Sequence, residues 1–181
     1  MISEKKLIEG CVAGNRAAQK QLYKQYSALL FALCLRYMPS REEAEDVLIM
    51  GFTAIFEKIR TFKNEGTFEG WMKKVMMYTA LTTIRENEKH YFLEKYDEKM
   101  LDEDVEAAKS QNVTYSAIGV KDILNQIQQL SDGYRTVFNL HVIEGYSYEE
   151  IANMLDVNIG TIRSQLARAR KILQQKLKEY R

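Results

Sequence analysis

A chain of 181 residues can hold one large or two small domains, and with 46% hydrophobic and 28% charged residues it is an ordinary folded chain, not a disordered one. A single proline, set among frequent Leu, Ala, Glu, Lys, Gln and Met, predicts an all-α protein. No apolar run is long enough for a membrane span and the opening MISEKKLIEG lacks a signal-peptide core, so a cytoplasmic location without membrane insertion is expected.

Cys11 and Cys34, and His90 and His141, have no metal-ligand spacing. They are expected to be buried thiols and ordinary surface imidazoles. There is also no nucleophile–base pair and no phosphate loop. The expectation is therefore no catalytic residue, no cofactor and no metal. The formal charge of +1 hides an uneven distribution: residues 159–181 hold seven Lys or Arg against the single Glu179, while 94–106 hold seven acids against Lys95 and Lys99.

In chain order, Ser3 to about Ala13 is a short amphipathic helix with Leu7, Ile8, Cys11 and Val12 as its apolar face. Asn15 caps a longer helix, Arg16 to about Tyr37, in which Leu22, Tyr26, Leu29, Leu30 and Leu33 recur at helical spacing, and Pro39 ends it. Ser40 and Glu43 have capping-box spacing and open a helix from Arg41 to about Arg60. Its inner face is Ala44, Leu48, Phe52, Ile55 and Ile59, which turns Asp46, Ile49, Met50, Thr53 and Glu57 outward. Ile49 and Met50 among acids are either scattered exposed side chains or a protein docking surface.

Thr61–Gly66 is a polar loop carrying Phe62, Lys63 and Asn64, and Thr67 caps a helix from Phe68 to about Tyr91. That helix is apolar almost all round apart from Lys73 and Lys74. It is expected to be central, with Trp71, Met77 and Tyr78 more often core than ligand. An aromatic and an amide beside adjacent lysines are also what grips an unpaired nucleic-acid strand, by cations on phosphate and a ring on a splayed base. Residues 94–117 lose the apolar periodicity and read as an acidic linker. The helical pattern resumes from Val120 to Leu130. Ser131 then caps a helix from Asp132 to about Glu144, ended by Gly145.

Ser147–Arg170 reads as two helices joined by Asp156-Val157-Asn158. Ser147 and Glu150 form a capping box, and Ile151, Ala152 and Leu155 share one face. In the second helix Ile162, Leu166, Ala169 and Leu173 make the buried stripe, which forces Arg163, Ser164, Ala167, Arg168 and Lys171 outward. That face suits a major groove: Arg pairs with guanine edges, Ser donates or accepts, and Ala meets a thymine methyl, while Thr161 and the free N–H groups of the first turn seat a phosphate. The plainer alternative is an antiparallel helix pair with a solvated basic face.

Taken together, the chain resembles a sigma-70 family RNA polymerase sigma factor of the extracytoplasmic-function (ECF) subgroup. One block of the resemblance is Glu43-Ala44-Glu45-Asp46-Val47, Phe52, Thr67-Phe68-Glu69-Gly70-Trp71, Lys73, Lys74, Thr79, Ala80, Leu81 and Arg85. The other is Tyr134-Arg135-Thr136-Val137-Phe138, Glu144-Gly145-Tyr146-Ser147, Glu150-Ile151-Ala152, Leu155, Gly160-Thr161, Ser164, Leu166 and Arg168-Ala169-Arg170. The family usually has Gln and an acid where Ile49 and Met50 stand, Asn at Tyr78, Asp at Thr82 and Pro at Ser131.

The resemblance implies a region 2 domain over 1–93, a linker over 94–117 and a region 4 domain over 118–181. It implies that Glu45, Asp46, Ile49, Met50 and Thr53 dock on the β′ coiled coil of core RNA polymerase, with the β flap as a further contact. Phe62, Lys63, Asn64, Phe68, Lys73, Lys74 and Tyr78 would read the minus-10 element as an unpaired strand. Ser147, Thr161, Arg163, Ser164, Ala167, Arg168 and Lys171 would meet the minus-35 element. Implied partners are core polymerase, promoter DNA and an anti-sigma factor, and the linker is expected to thread towards the RNA exit path. The alternatives are a sigma-like decoy and a stand-alone helix-turn-helix regulator.

Overall fold

A computed structural model describes residues 3–87 and 119–178. Its elements are α1 Glu4–Val12, α2 Arg16–Tyr37, α3 Arg41–Lys58, a 3-10 turn Ile59–Thr61, α4 Phe68–Asn87, α5 Val120–Gln128, α6 Asp132–Phe138, a π-helical turn Asn139–Ile143, α7 Tyr148–Leu155 and α8 Ile159–Lys178. The chain divides into two compact units, Met1–Glu86 and Asn87–Arg181. The acidic stretch 94–117, His90 and the expected end of α4 near Tyr91 lie outside the described residues.

The first unit starts its helices where short polar side chains occupy orphan N–H groups. The Asn15 side chain accepts from the Ala17 and Ala18 N–H groups at 2.8 and 3.2 Å. Ser40 accepts from the Glu43 N–H at 3.1 Å, and Thr67 from the Gly70 N–H at 3.1 Å. On α2 the buried stripe is Leu22, Tyr26, Leu30, Leu33, Cys34 and Tyr37. Leu29, expected on the inner face, falls at the edge of that stripe and is exposed.

All five expected inner residues of α3, from Ala44 to Ile59, are buried, and Gly51 joins them. A Cβ on Gly51 would lie 2.2 Å from the sulfur of the buried Met76, so a side chain there has to displace that thioether within the core. Gly51→Val is therefore expected to lower stability by about 1–3 kcal/mol through overpacking, read by urea unfolding.

The fourth helix is less buried than its composition suggests. Phe68, Met72, Met76, Met77, Ala80, Leu81 and Ile84 are core, but Lys74, Tyr78, Thr82 and Arg85 fall on one side and are exposed. Tyr78, expected in the core more often than not, is 51% exposed.

In the second unit α8 packs against α5, α6 and α7. Ile127, Leu130, Ala169 and Leu173 form a core cluster, flanked by Ile123, Tyr134, Phe138 and Ile172. The helix expected to run unbroken from Asp132 to Glu144 instead widens into the π-helical turn after Phe138. There the Glu144 N–H reaches the Asn139 carbonyl at 2.9 Å, and the Asn139 amide donates to the Arg135 carbonyl at 2.9 Å. Gly145, at φ +81°, ends the turn as expected. Ser131 sits at the α6 N-cap, but its side chain makes no capping bond.

Candidate functional site

The helix-turn-helix is built by its caps. The Ser147 hydroxyl accepts from the Glu150 N–H at 3.1 Å, and the Ser147 N–H donates to the Glu150 carboxylate at 2.8 Å. The bond from the Ser147 N–H, followed by one from the Ser147 hydroxyl, holds the Glu150 carboxyl below the usual carboxylate range. Because the folded value is the lower one, this support for the start of α7 is present at neutral pH and is lost as pH falls through it. Asp156 adopts the left-handed conformation at φ 56° and stops α7, and the Asn158 side chain accepts from the Gly160 N–H at 2.7 Å to start α8. Val157 is half-buried in the turn between them.

The register of α8 then follows from four residues. Ile162, Leu166, Ala169 and Leu173 are all buried. Arg163, Arg168 and Lys171 are exposed, with Thr161, Ser164 and Ala167 half-buried beside them. The Ser164 hydroxyl donates to the Thr161 carbonyl at 3.0 Å, which leaves oxygen lone pairs to accept from outside. Residues 159–178 contain no acid, so this face is uniformly cationic.

Sequence reasoning missed a stack that joins the turn regions. The Arg163 guanidinium lies over the Tyr148 ring, 5.6 Å from its centroid. His141 stacks on the same ring at 4.6 Å and 16°. Its Nδ1–H donates to the Tyr146 carbonyl at 2.8 Å, since a carbonyl can only accept. His141 is half-buried and bonded, which corrects the expectation of an ordinary surface imidazole. Residues 141, 148 and 163 share no spacing rule, so no sequence signal joins them.

In the first unit the outer face of α3 presents Ile49 at 62% and Met50 at 46% exposure, with Glu45, Asp46 and Thr53 exposed around them. Glu45 pairs with Arg41 at 2.9 Å, and the Thr53 hydroxyl donates to the Ile49 carbonyl at 3.0 Å. The loop before α4 is shaped by positive φ at Asn64 (59°) and Gly66 (84°), and Lys63 and Asn64 are exposed. Phe62 is half-buried against Phe68 at 5.2 Å and Trp71 at 5.7 Å.

Phe68 corrects the expected strand-contact set. It is 1% exposed and meets Tyr26 edge-on at 6.2 Å, because the first inward position of α4 faces the bundle; it supports Phe62 and Trp71 from beneath. Lys73 is half-buried and pairs with Glu69 at 2.7 Å, whereas Lys74 and Tyr78 face outward. Cys11 and Cys34 are buried free thiols as expected, and burial pushes the Cys34 thiol up to about 12. Among the described residues no group of His, Cys, Asp and Glu could hold a metal ion, and no helix is long and apolar enough to cross a membrane.

Comparison with known families adds to this geometry. The sigma-70 region 2 family matches residues 22–90, and the sigma-70 region 4 family matches 121–173. The chain is similar to the ECF RNA polymerase sigma-E factor of Haemophilus influenzae, 26% identical over 186 residues that cover 97% of this chain and 96% of that protein. It is also similar to the ECF RNA polymerase sigma factor SigW of Bacillus subtilis, 27% identical over 191 residues covering 97% of each. Its fold resembles that of the sigma factor RpoE of Bartonella quintana, solved in complex with the anti-sigma factor NepR, with a TM-score of 0.53, 22% identity, and coverage of 88% of this chain and 96% of that one. With one helical unit carrying each matched region, in that order along the sequence, the chain belongs to the sigma-70 family as an ECF RNA polymerase sigma factor.

Proposed function

We propose that this sigma factor, which directs RNA polymerase to promoters, divides that work between its two units. The observation that carries the division is the outward cationic face of α8 on one unit and the exposed Ile49–Met50 pair on the other. Arg163, Ser164, Ala167, Arg168 and Lys171 read and hold the minus-35 duplex, with Ser147 and Thr161 at the phosphates. Lys63, Asn64, Lys74 and Tyr78 hold the minus-10 strand once it is unpaired, Phe62 offers a partly covered ring, and Lys73 acts from its pair with Glu69. Glu45, Asp46, Ile49, Met50 and Thr53 dock on the β′ coiled coil, and the second unit meets the β flap.

The division into 1–93, 94–117 and 118–181 lets the acidic stretch run towards the RNA exit path. The Bartonella relative was solved with an anti-sigma factor, and a partner of that kind is proposed here. The protein works where its polymerase is, in the cytoplasm, and supplies no chemistry of its own.

The test is reconstituted transcription with core RNA polymerase. The parent protein is expected to give promoter-dependent transcripts that the polymerase alone does not. Arg168→Ala should cost about 1–3 kcal/mol at one minus-35 position, scored on single-base promoter variants. Comigration with polymerase without an open complex would indicate a decoy, and tight dimeric binding to a palindrome without polymerase would indicate a stand-alone regulator.

A further inference from the structure

We infer that Tyr148 and His141 are positioning residues that aim the Arg163 guanidinium before DNA arrives, and so set base preference at the one base pair Arg163 reads. This rests on the proposed reading of α8 and extends it to residues outside the groove-facing set.

An exposed arginine samples many rotamers, and a bidentate bond to a guanine edge needs one of them. Here the guanidinium is tethered at its far end. It lies over the Tyr148 ring at 5.6 Å, and that ring is half-buried at the first residue of α7. The ring in turn stacks on His141 at 4.6 Å, nearly parallel. His141 is fixed by its 2.8 Å bond to the Tyr146 carbonyl, and the Tyr146 N–H is itself bonded to the Leu140 carbonyl at 3.0 Å. An exposed charge on α8 is thus connected, through two rings, to the backbone just after the π-helical turn. Electrostatic attraction between a guanidinium and a ring face strengthens as water leaves, so the tether holds best once the groove closes over it. Among the described residues Arg163 is the α8 cation that lies over a ring, and it is the side chain this device would single out.

The experiment uses the full chain assembled with core RNA polymerase on a promoter library whose minus-35 element is randomised, with the bound DNA sequenced. Arg163→Ala is expected to flatten preference at one base pair. Tyr148→Leu should lower preference at that same base pair about three-fold and leave the others unchanged. Tyr148→Phe keeps the ring and should restore the parent profile. Tyr148→Leu combined with Arg163→Ala should be no flatter there than Arg163→Ala alone. A Tyr148→Leu profile that is unchanged, or weakened equally at every position, overturns the inference while leaving the reading of Arg163 intact. An Arg163→Ala profile with no flattened position instead sinks that reading, and the positioning role with it. If Tyr148→Leu fails to fold by circular dichroism, His141→Leu, which keeps the tyrosine but removes its backing, decides: a smaller loss at the same base pair supports the tether, and none refutes it.

Discussion

Arg135→Met is expected to destabilise the second helical unit strongly and leave the first intact. Arg135 is 1% exposed, yet it sits in a unit whose other buried residues are mostly apolar. Its Nη1 donates to the Gln128 carbonyl at 3.0 Å, in the last turn of α5, and to the Leu130 carbonyl at 2.7 Å, just beyond it. Its Nη2 pairs with Asp132 at the start of α6. One side chain therefore ties the end of α5 to the start of α6, where Ser131 makes no side-chain capping bond.

Methionine fills a similar volume but donates nothing. It removes the donor shared by both carbonyls and the charge facing a part-buried carboxylate, at a cost of about 3–5 kcal/mol. Small domains have only roughly 5–15 kcal/mol in total. Hydrogen exchange on the full chain should show amide protection lowered across α5 to α8 and unchanged across α1 to α4. Arg135→Lys should fall between, because a single ammonium cannot span three acceptors at fork geometry. Equal protection in parent and Arg135→Met would show that the network contributes nothing.

Met50→Lys is expected to weaken binding of core RNA polymerase at least ten-fold, about 1.4 kcal/mol or more, with the thermal midpoint unchanged. Met50 and Ile49 are the exposed apolar pair of α3, on the face opposite Ala44, Leu48, Phe52 and Ile55. A lysine there costs the free protein little, since surface substitutions change stability by roughly half a kcal/mol at most. In a complex it would leave an unpaired ammonium in a desolvated apolar contact. Fluorescence anisotropy titration of labelled protein with core polymerase reads the difference directly. Unaltered affinity for both Met50→Lys and Ile49→Lys would move the docking surface off α3.

Helix existence, caps and buried stripes were legible from residue spacing. Asn15, Ser40, Thr67 and Ser147 cap as read, and Ile162, Leu166, Ala169 and Leu173 turn inward together. These features are local, fixed by helical period and by side chains within one turn of the N–H they serve. The errors came where distant residues compete. Phe68 reads as available to a strand but is drawn under Tyr26, and Tyr78 reads as core but is carried outward by the register that buries Met76, Met77, Ala80 and Leu81. After Phe138 the Glu144 N–H reaches back five residues to the Asn139 carbonyl, a π-helical turn that composition does not announce.

The sequence by itself determined an all-helical protein in two units, with a cationic outer face on α8 and an apolar pair on the outside of α3, because a 3.6-residue period leaves no other side for those residues once the inward stripe is chosen. Only the tertiary structure decided which aromatic rings are buried and which are offered, and that Arg163 rests on Tyr148 and His141. Those outcomes depend on contacts between residues many turns apart, whose geometry is set when helices pack and is not written in any local spacing.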